Sequence, residues 1–90
     1  MIMKKFQSDV RGFLEKWLHS SIRKYVAKMD GHLDGGLYHL IMDGVERPLI
    51  EIVLSETKGN QTLASNILGI NRNTLRKKIH NYKIRCKNSP

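Results

Sequence analysis

Apolar residues recur along this chain with the period of an α-helix. Between Asp9 and Met29 they are Val10, Phe13, Leu14, Trp17, Leu18, Ile22, Tyr25, Val26 and Met29, and the steps between them are three, one or four. That spacing keeps one face apolar for about five helical turns. Ser8 or Asp9 is placed to cap the start, and Gly31 to take the left-handed conformation at the end. Leu37, Leu40, Ile41, Val45, Leu49, Ile52 and Val53 repeat the spacing after Asp34-Gly35-Gly36, with Asp34 as the candidate N-cap and a stop at Lys58-Gly59. Pro48 falls inside this run and withholds a donor from the carbonyl of Gly44. One bent helix of about 20 residues is the expected result.

Two shorter helices follow. Asn60 caps a piece over Gln61–Leu68 with Leu63, Ala64, Ile67 and Leu68 inward, and Gly69 ends it. Asn71 starts another over Arg72–Tyr82, with Leu75, Ile79 and Tyr82 inward. No run has the alternation of a strand, so the expected fold is all-α, with four helices in a single domain of 90 residues. The expected order is a flexible N-terminus over 1–8, dimerisation helices over 9–58, a helix-turn-helix over 59–82 and a basic tail over 83–90. Both long stripes are wide for a monomer of this size. An intertwined homodimer of the first two helices is therefore expected, with a compact four-helix monomer as the alternative.

Composition narrows the class. Hydrophobic residues are 40% and charged residues 27%, which excludes a disordered polar chain. No stretch nears the ~18 consecutive apolar residues of a membrane span. MIMKKFQSDVRGF has lysines but no apolar run after them, unlike a secretory signal. The lone Cys86 can form no internal disulfide, which fits a reducing, cytoplasmic home.

Charge sharpens the picture further. Lys and Arg number 16 against 8 Asp and Glu, a formal net charge of +8. Residues 1–57 hold eight bases and eight acids, whereas 58–90 hold eight bases and no acid. The whole excess belongs to the last third of the chain, and an unopposed positive field suits a polyanion. That third contains GNQTLASNILGINRNTLRKKI, residues 59–79. Two short helices around a tight Gly-Ile-Asn turn have the layout of a helix-turn-helix. Ala64 is small where the helices cross, Gly69 supplies positive φ, and Ile70 and Leu75 fill the angle between them. Asn71 and Arg72 stand at the start of the second helix, where Asn can bridge adenine N6 and N7 and Arg can donate twice to guanine. Arg76, Lys77 and Lys78 are spaced for flanking phosphates, and Asn60, Thr62 and Thr74 stand at helix starts that favour anions.

Residues 47–79, above all GNQT (59–62) and GINRNTLRKK (69–78), resemble the C-terminal half of the Fis family of bacterial nucleoid-associated proteins. The likeness extends through Leu14–Met29, Gly31, Leu37-Tyr38 and Arg47-Pro48-Leu49, over roughly residues 14–84. The same motif closes enhancer-binding activators of the nitrogen-regulation class; the short chain and the match in both long helices favour Fis. The resemblance implies an intertwined dimer with its second helix kinked near Pro48. It also implies recognition helices closer together than one DNA turn, hence a bent duplex and much indirect readout. By position, Asn71 and Arg72 would approach bases, while Asn60, Thr62, Thr74, Arg76, Lys77 and Lys78 would hold phosphates. Leu63 replaces an arginine of the family, Asn73 a glycine, and His80 and Asn81 two lysines. The residues before Leu14 do not resemble the family's invertase-contacting arm, so that activity is not carried over.

The expected function is double-stranded DNA binding and bending by a homodimeric transcriptional regulator of the bacterial nucleoid. A narrower transcription factor or a detached module of an enhancer-binding activator is the alternative. A module for anionic membranes or protein partners is disfavoured because the long amphipathic segments are neutral as a pair. His19, His32, His39 and His80 have no metal-ligand spacing and nothing pairs a nucleophile with a base. No enzyme, cofactor, metal or small-molecule substrate is expected.

Overall fold

The computed structural model describes residues 2–29 and 35–85. Among these described residues four helices run in chain order: α1 (Ile2–Met29), α2 (Leu37–Glu56), α3 (Gln61–Leu68) and α4 (Arg72–Tyr82). No strand occurs among the described residues, as an all-α class requires. The chain divides into two units, residues 1–34 and 35–90, each described by itself.

The first unit is α1. It starts at Ile2, seven residues before the expected start, so Ser8 and Asp9 are interior helical residues and not caps. Residues expected as a flexible N-terminus are helical from Ile2 onward. The physical reason lies in the spacing: Met3, Phe6, Val10, Phe13 and Trp17 advance by three, four, three and four, and carry the apolar stripe back to the chain's first residues. The expected caps Gly31 and Asp34 lie outside the described residues. No residue of α1 is buried, and Phe13 and Trp17 are 65% and 43% exposed.

The second unit has its own core. Ile50 and Leu54 of α2, Ala64 of α3, Leu75 of α4 and Ile84 are buried, with Val53, Leu68, Ile70, Ile79 and Tyr82 packed around them. Ala64 and Leu75 are both 0% exposed, which puts a methyl group where α3 and α4 approach and a leucine at the centre of their angle. Leu63 and Ile67, expected inward, are instead exposed at 46% and 60%. In a helix of eight residues the core takes a narrow arc, and Ala64 and Leu68 at i and i+4, with buried Ser65 beside them, fill it. Pro48 sits inside α2, which runs unbroken for 20 residues from an N-cap at Gly36 that lacks a side-chain cap.

The helix ends share one device. After α3, Gly69 (φ 74) and Ile70 both donate to the carbonyl of Ser65. Past α2, Lys58 (φ 54) donates to Ser55 and Gly59 to Leu54; past α4, Lys83 (φ 55) donates to His80 and Ile84 to Ile79. This is the left-handed closure that satisfies the orphan carbonyls of a last turn. Ile70 and Ile84 follow the left-handed residues and fold back onto the core.

A second face of α2 remains. Tyr38, Met42, Val45, Leu49 and Ile52 advance by four, three, four and three, and all are exposed. Alternating steps of three and four make the seam of a coiled coil.

Candidate nucleic-acid interface

Two asparagine caps set the starts of α3 and α4. Asn60 Oδ1 accepts from the backbone N–H of Leu63 at 3.0 Å and starts α3. Asn71 Oδ1 accepts from the N–H of Asn73 at 2.7 Å and starts α4. Both caps match the expectation, and in both the amide oxygen accepts from the first turn of its helix. For Asn71 this matters, because bridging adenine uses the amide oxygen as well as the nitrogen. One lone pair of the Asn71 oxygen is engaged at the helix start, which leaves its NH2 and a second lone pair for other partners.

Arg72, Asn73, Thr74, Arg76, Lys77, His80 and Asn81 are exposed along α4, as are Asn60 and Thr62 beside it in sequence at the start of α3. Asn73, Arg76, Lys77, His80 and Asn81 line a shallow open depression on the outer side of α4. Its chemistry is donor-rich, and no acid lies between Lys58 and Arg85 to oppose it. Thr62 also lends its carbonyl to Ser65 Oγ at 2.8 Å, which satisfies that buried hydroxyl.

Lys78 stands apart. It lies three residues after buried Leu75 and four before Tyr82, on the flank of α4 that meets α2. Its Nζ donates to Glu46 Oε1 at 2.9 Å. The Tyr82 hydroxyl donates to the same oxygen at 2.7 Å, with Asp43 Oδ1 at 3.2 Å. One hydroxyl proton cannot serve both carboxylates fully, and the shorter contact takes it. The Lys78 hydrogen bond, then that of Tyr82, holds the Glu46 carboxyl below the usual carboxylate range. Donation to Glu46 in turn pushes the Tyr82 phenol well above its ordinary value. This cluster was not expected from sequence. Its partners lie 32 to 39 residues apart, and only the pairing of acids at i, i+3 on α2 with Lys78 and Tyr82 at i, i+4 on α4 hinted at it.

Among the described residues no His, Cys, Asp and Glu side chains gather into a group that could hold a metal. No described helix is long and apolar enough to cross a membrane.

Residues 42–82 match the family described as bacterial regulatory protein, Fis family. The DNA-binding protein Fis of Haemophilus influenzae (strain PittEE) is 47% identical over 62 residues, covering 69% of this chain and 63% of that protein. The DNA-binding protein Fis of Aliivibrio fischeri (strain MJ11) is 43% identical over 63 residues, covering 70% of this chain and 64% of that protein.

This chain belongs to the Fis family. The matched stretch of the Fis family, 42–82, coincides with the part of α2 that carries the core together with α3 and α4. The chain spans slightly less than two thirds of the length of these Fis relatives. In this Fis-family chain the expected base-facing pair Asn71 and Arg72 shares the exposed side of α4 with Arg76 and Lys77, while Lys78 does not.

Proposed function

We propose that the chain binds double-stranded DNA as a homodimer, enters the major groove with α4, and regulates transcription in the bacterial nucleoid. The observation that carries this reading is the exposed, donor-rich face of a capped α4, in a segment with no acid to neutralise it. Arg72 reads base edges with help from the Asn71 amide, and Asn60, Thr62, Thr74, Arg76 and Lys77 hold phosphates. Two reading residues against five holding ones leave little direct readout. Selectivity then rests on how readily the duplex narrows its minor groove and bends, the indirect mode.

Dimerisation is supported by the unpaired seams. The α1 stripe buries nothing and the α2 seam from Tyr38 to Ile52 is exposed, although the opposite side of α2 is spent on the reading unit's core. Apolar seams of this length are stable when another helix covers them. A second copy of the same two helices covers both, which is the intertwined arrangement.

A gel shift across a salt series tests the reading. Duplex affinity should fall steeply and linearly with salt on logarithmic axes, with a slope of about −0.9 for each phosphate contacted. Arg72→Ala should weaken a site selected from a random pool more than mixed-sequence DNA, by roughly 1–3 kcal/mol, whereas Lys77→Ala should weaken both alike. Equal losses for the two variants would refute the division of roles. A chain that shifts no duplex at moderate salt refutes DNA binding itself.

A further inference from the structure

We propose that Glu46 withholds Lys78 from DNA, so that Lys78 and Tyr82 are positioning residues tying α4 to α2 while the phosphate grip of α4 rests on Arg76 and Lys77. The inference rests on the DNA reading above and deepens it by dividing the basic run Arg76-Lys77-Lys78 into two jobs.

The helix geometry makes the division. Successive residues of an α-helix are turned about 100° apart, so three consecutive bases cannot share one face. Arg76 and Lys77 line the outer depression with Asn73 and His80. Lys78 is turned past them to the flank shared with Leu75 and Tyr82, where its side chain is 32% exposed and that of Glu46 is 31% exposed. There it finds a carboxylate at 2.9 Å already receiving the Tyr82 hydroxyl at 2.7 Å. The carboxylate is kept ionised by these two donors, so it competes with phosphate as an anion of like chemistry that is already in place. Asp43 adds a second negative charge beside the phenol.

The cluster also explains what an aromatic residue does at the end of a recognition helix. Tyr82 packs its ring against the core and sends its hydroxyl across to α2. Together with Lys78 it makes two hydrogen bonds, one turn apart, from α4 to a single oxygen of Glu46. Two such points fix the roll of α4 about its axis, and the roll decides whether Arg72 meets a base edge.

The test uses the full chain and a mixed-sequence duplex a few helical turns long, with affinity measured across a salt series. Circular dichroism establishes that each variant is folded. Lys77→Met should lower the magnitude of the log–log salt slope by about 0.9 per protomer. Lys78→Met, which keeps the apolar stem, should leave the slope within roughly a third of that change. Glu46→Gln removes the competing charge and frees the amine, so affinity at low salt should rise about threefold or more and the slope should steepen. A Lys78→Met slope flattened as much as that of Lys77→Met overturns the inference. A Glu46→Gln affinity that is unchanged or lower in a folded protein overturns it as well, and that result decides the matter should Lys78→Met fail to fold. A wild-type chain that binds no duplex refutes the DNA reading instead, and a Lys77→Met variant of unchanged slope refutes the phosphate assignment.

Discussion

α1 and the reading unit are built from the same material, helices with apolar stripes, yet one buries no residue and the other closes a core around Ile50, Leu54, Ala64, Leu75 and Ile84. The difference is one of partners. Each helix of the reading unit finds its complement within about thirty residues of chain, so its stability is intramolecular. The seams of α1 and of α2 from Tyr38 to Ile52 find none among the buried residues of one chain. Most helix stability in proteins comes from packing and little from propensity. The reading unit should therefore behave as a concentration-independent folding unit, and α1 as a helix whose order is tied to assembly.

The largest effect should come from charging the open seam. Leu49→Asp places a carboxylate in the middle of the α2 face that remains exposed, where a second copy would bury it. Burying an unpaired charge is prohibitive, so the dimer should be lost by at least about 4 kcal/mol, roughly a thousandfold in its dissociation constant. Sedimentation at micromolar concentration should move to the 10.4 kDa chain mass. Helix content should fall as α1 frays while the reading unit keeps its own. A variant that sediments as the wild type does would break the comparison.

Leu75→Ala probes the other side. The side chain is 0% exposed between α3 and α4, and truncation should cost roughly 3 kcal/mol. The loss should appear in the reading unit's melting transition at every protein concentration. A loss that grew on dilution would show that the core of this unit also depends on assembly.

Legibility in the sequence followed the same division. The bounds of α3 and α4 were readable because their signals are local: Asn60 and Asn71 cap, and Gly69 turns. The exposure of Arg72, Arg76 and Lys77 along α4 was readable for the same reason. The start of α1 was not. Met3 and Phe6 do continue the spacing of Val10, Phe13 and Trp17, but Lys4 and Lys5 between them and the capping signal of Ser8-Asp9 favour a later start. Which face of eight-residue α3 turns inward was also ambiguous, since Leu63 and Ile67 compete with Ala64 and Leu68 until the crossing partner is known. The Glu46–Lys78–Tyr82 cluster was illegible because it depends on how α4 rolls against α2.

Smaller changes sharpen the contrast within the reading unit. Asn60→Ala and Asn71→Ala each remove an N-cap and should cost about 1 kcal/mol in thermal or urea unfolding. The Asn71 change should in addition weaken DNA binding beyond what its stability loss explains. The Lys78–Glu46 pair should contribute less, below about 1 kcal/mol, because both side chains are about one-third exposed. The pH dependence of the Glu46 cluster has two limbs. Glu46 is held below its ordinary value near 4.5, so its contribution is present above that pH and fades as pH falls beneath it. Tyr82 is held above its ordinary value of 10.0, so its contribution is present below pH 10 and fades as pH rises beyond it. Urea titrations across pH should show both limbs in the wild type, whereas Glu46→Gln should lose the acid limb and keep a reduced alkaline one, because Asp43 still accepts from the Tyr82 hydroxyl.

The smallest expected effect is a gain. α3 ends on Gly69, but α2 and α4 end on lysines held at φ 54 and φ 55, conformations that L side chains adopt at a cost of about 1 kcal/mol. Replacing Lys58 by glycine removes that strain and adds some unfolded-chain entropy, and the two partly cancel. A net stabilisation of roughly 0.5 kcal/mol should remain, seen as a rise of a few degrees in the reading unit's melting temperature. The same change deletes one positive charge from the basic segment. If Lys58 is only a helix terminator, Lys58→Gly should stabilise the fold and leave the salt slope of DNA binding unaltered. A slope flattened by about 0.9 per protomer would instead place Lys58 against a phosphate. Strain at that position would then serve to aim a cation at the duplex from the junction of α2 and α3.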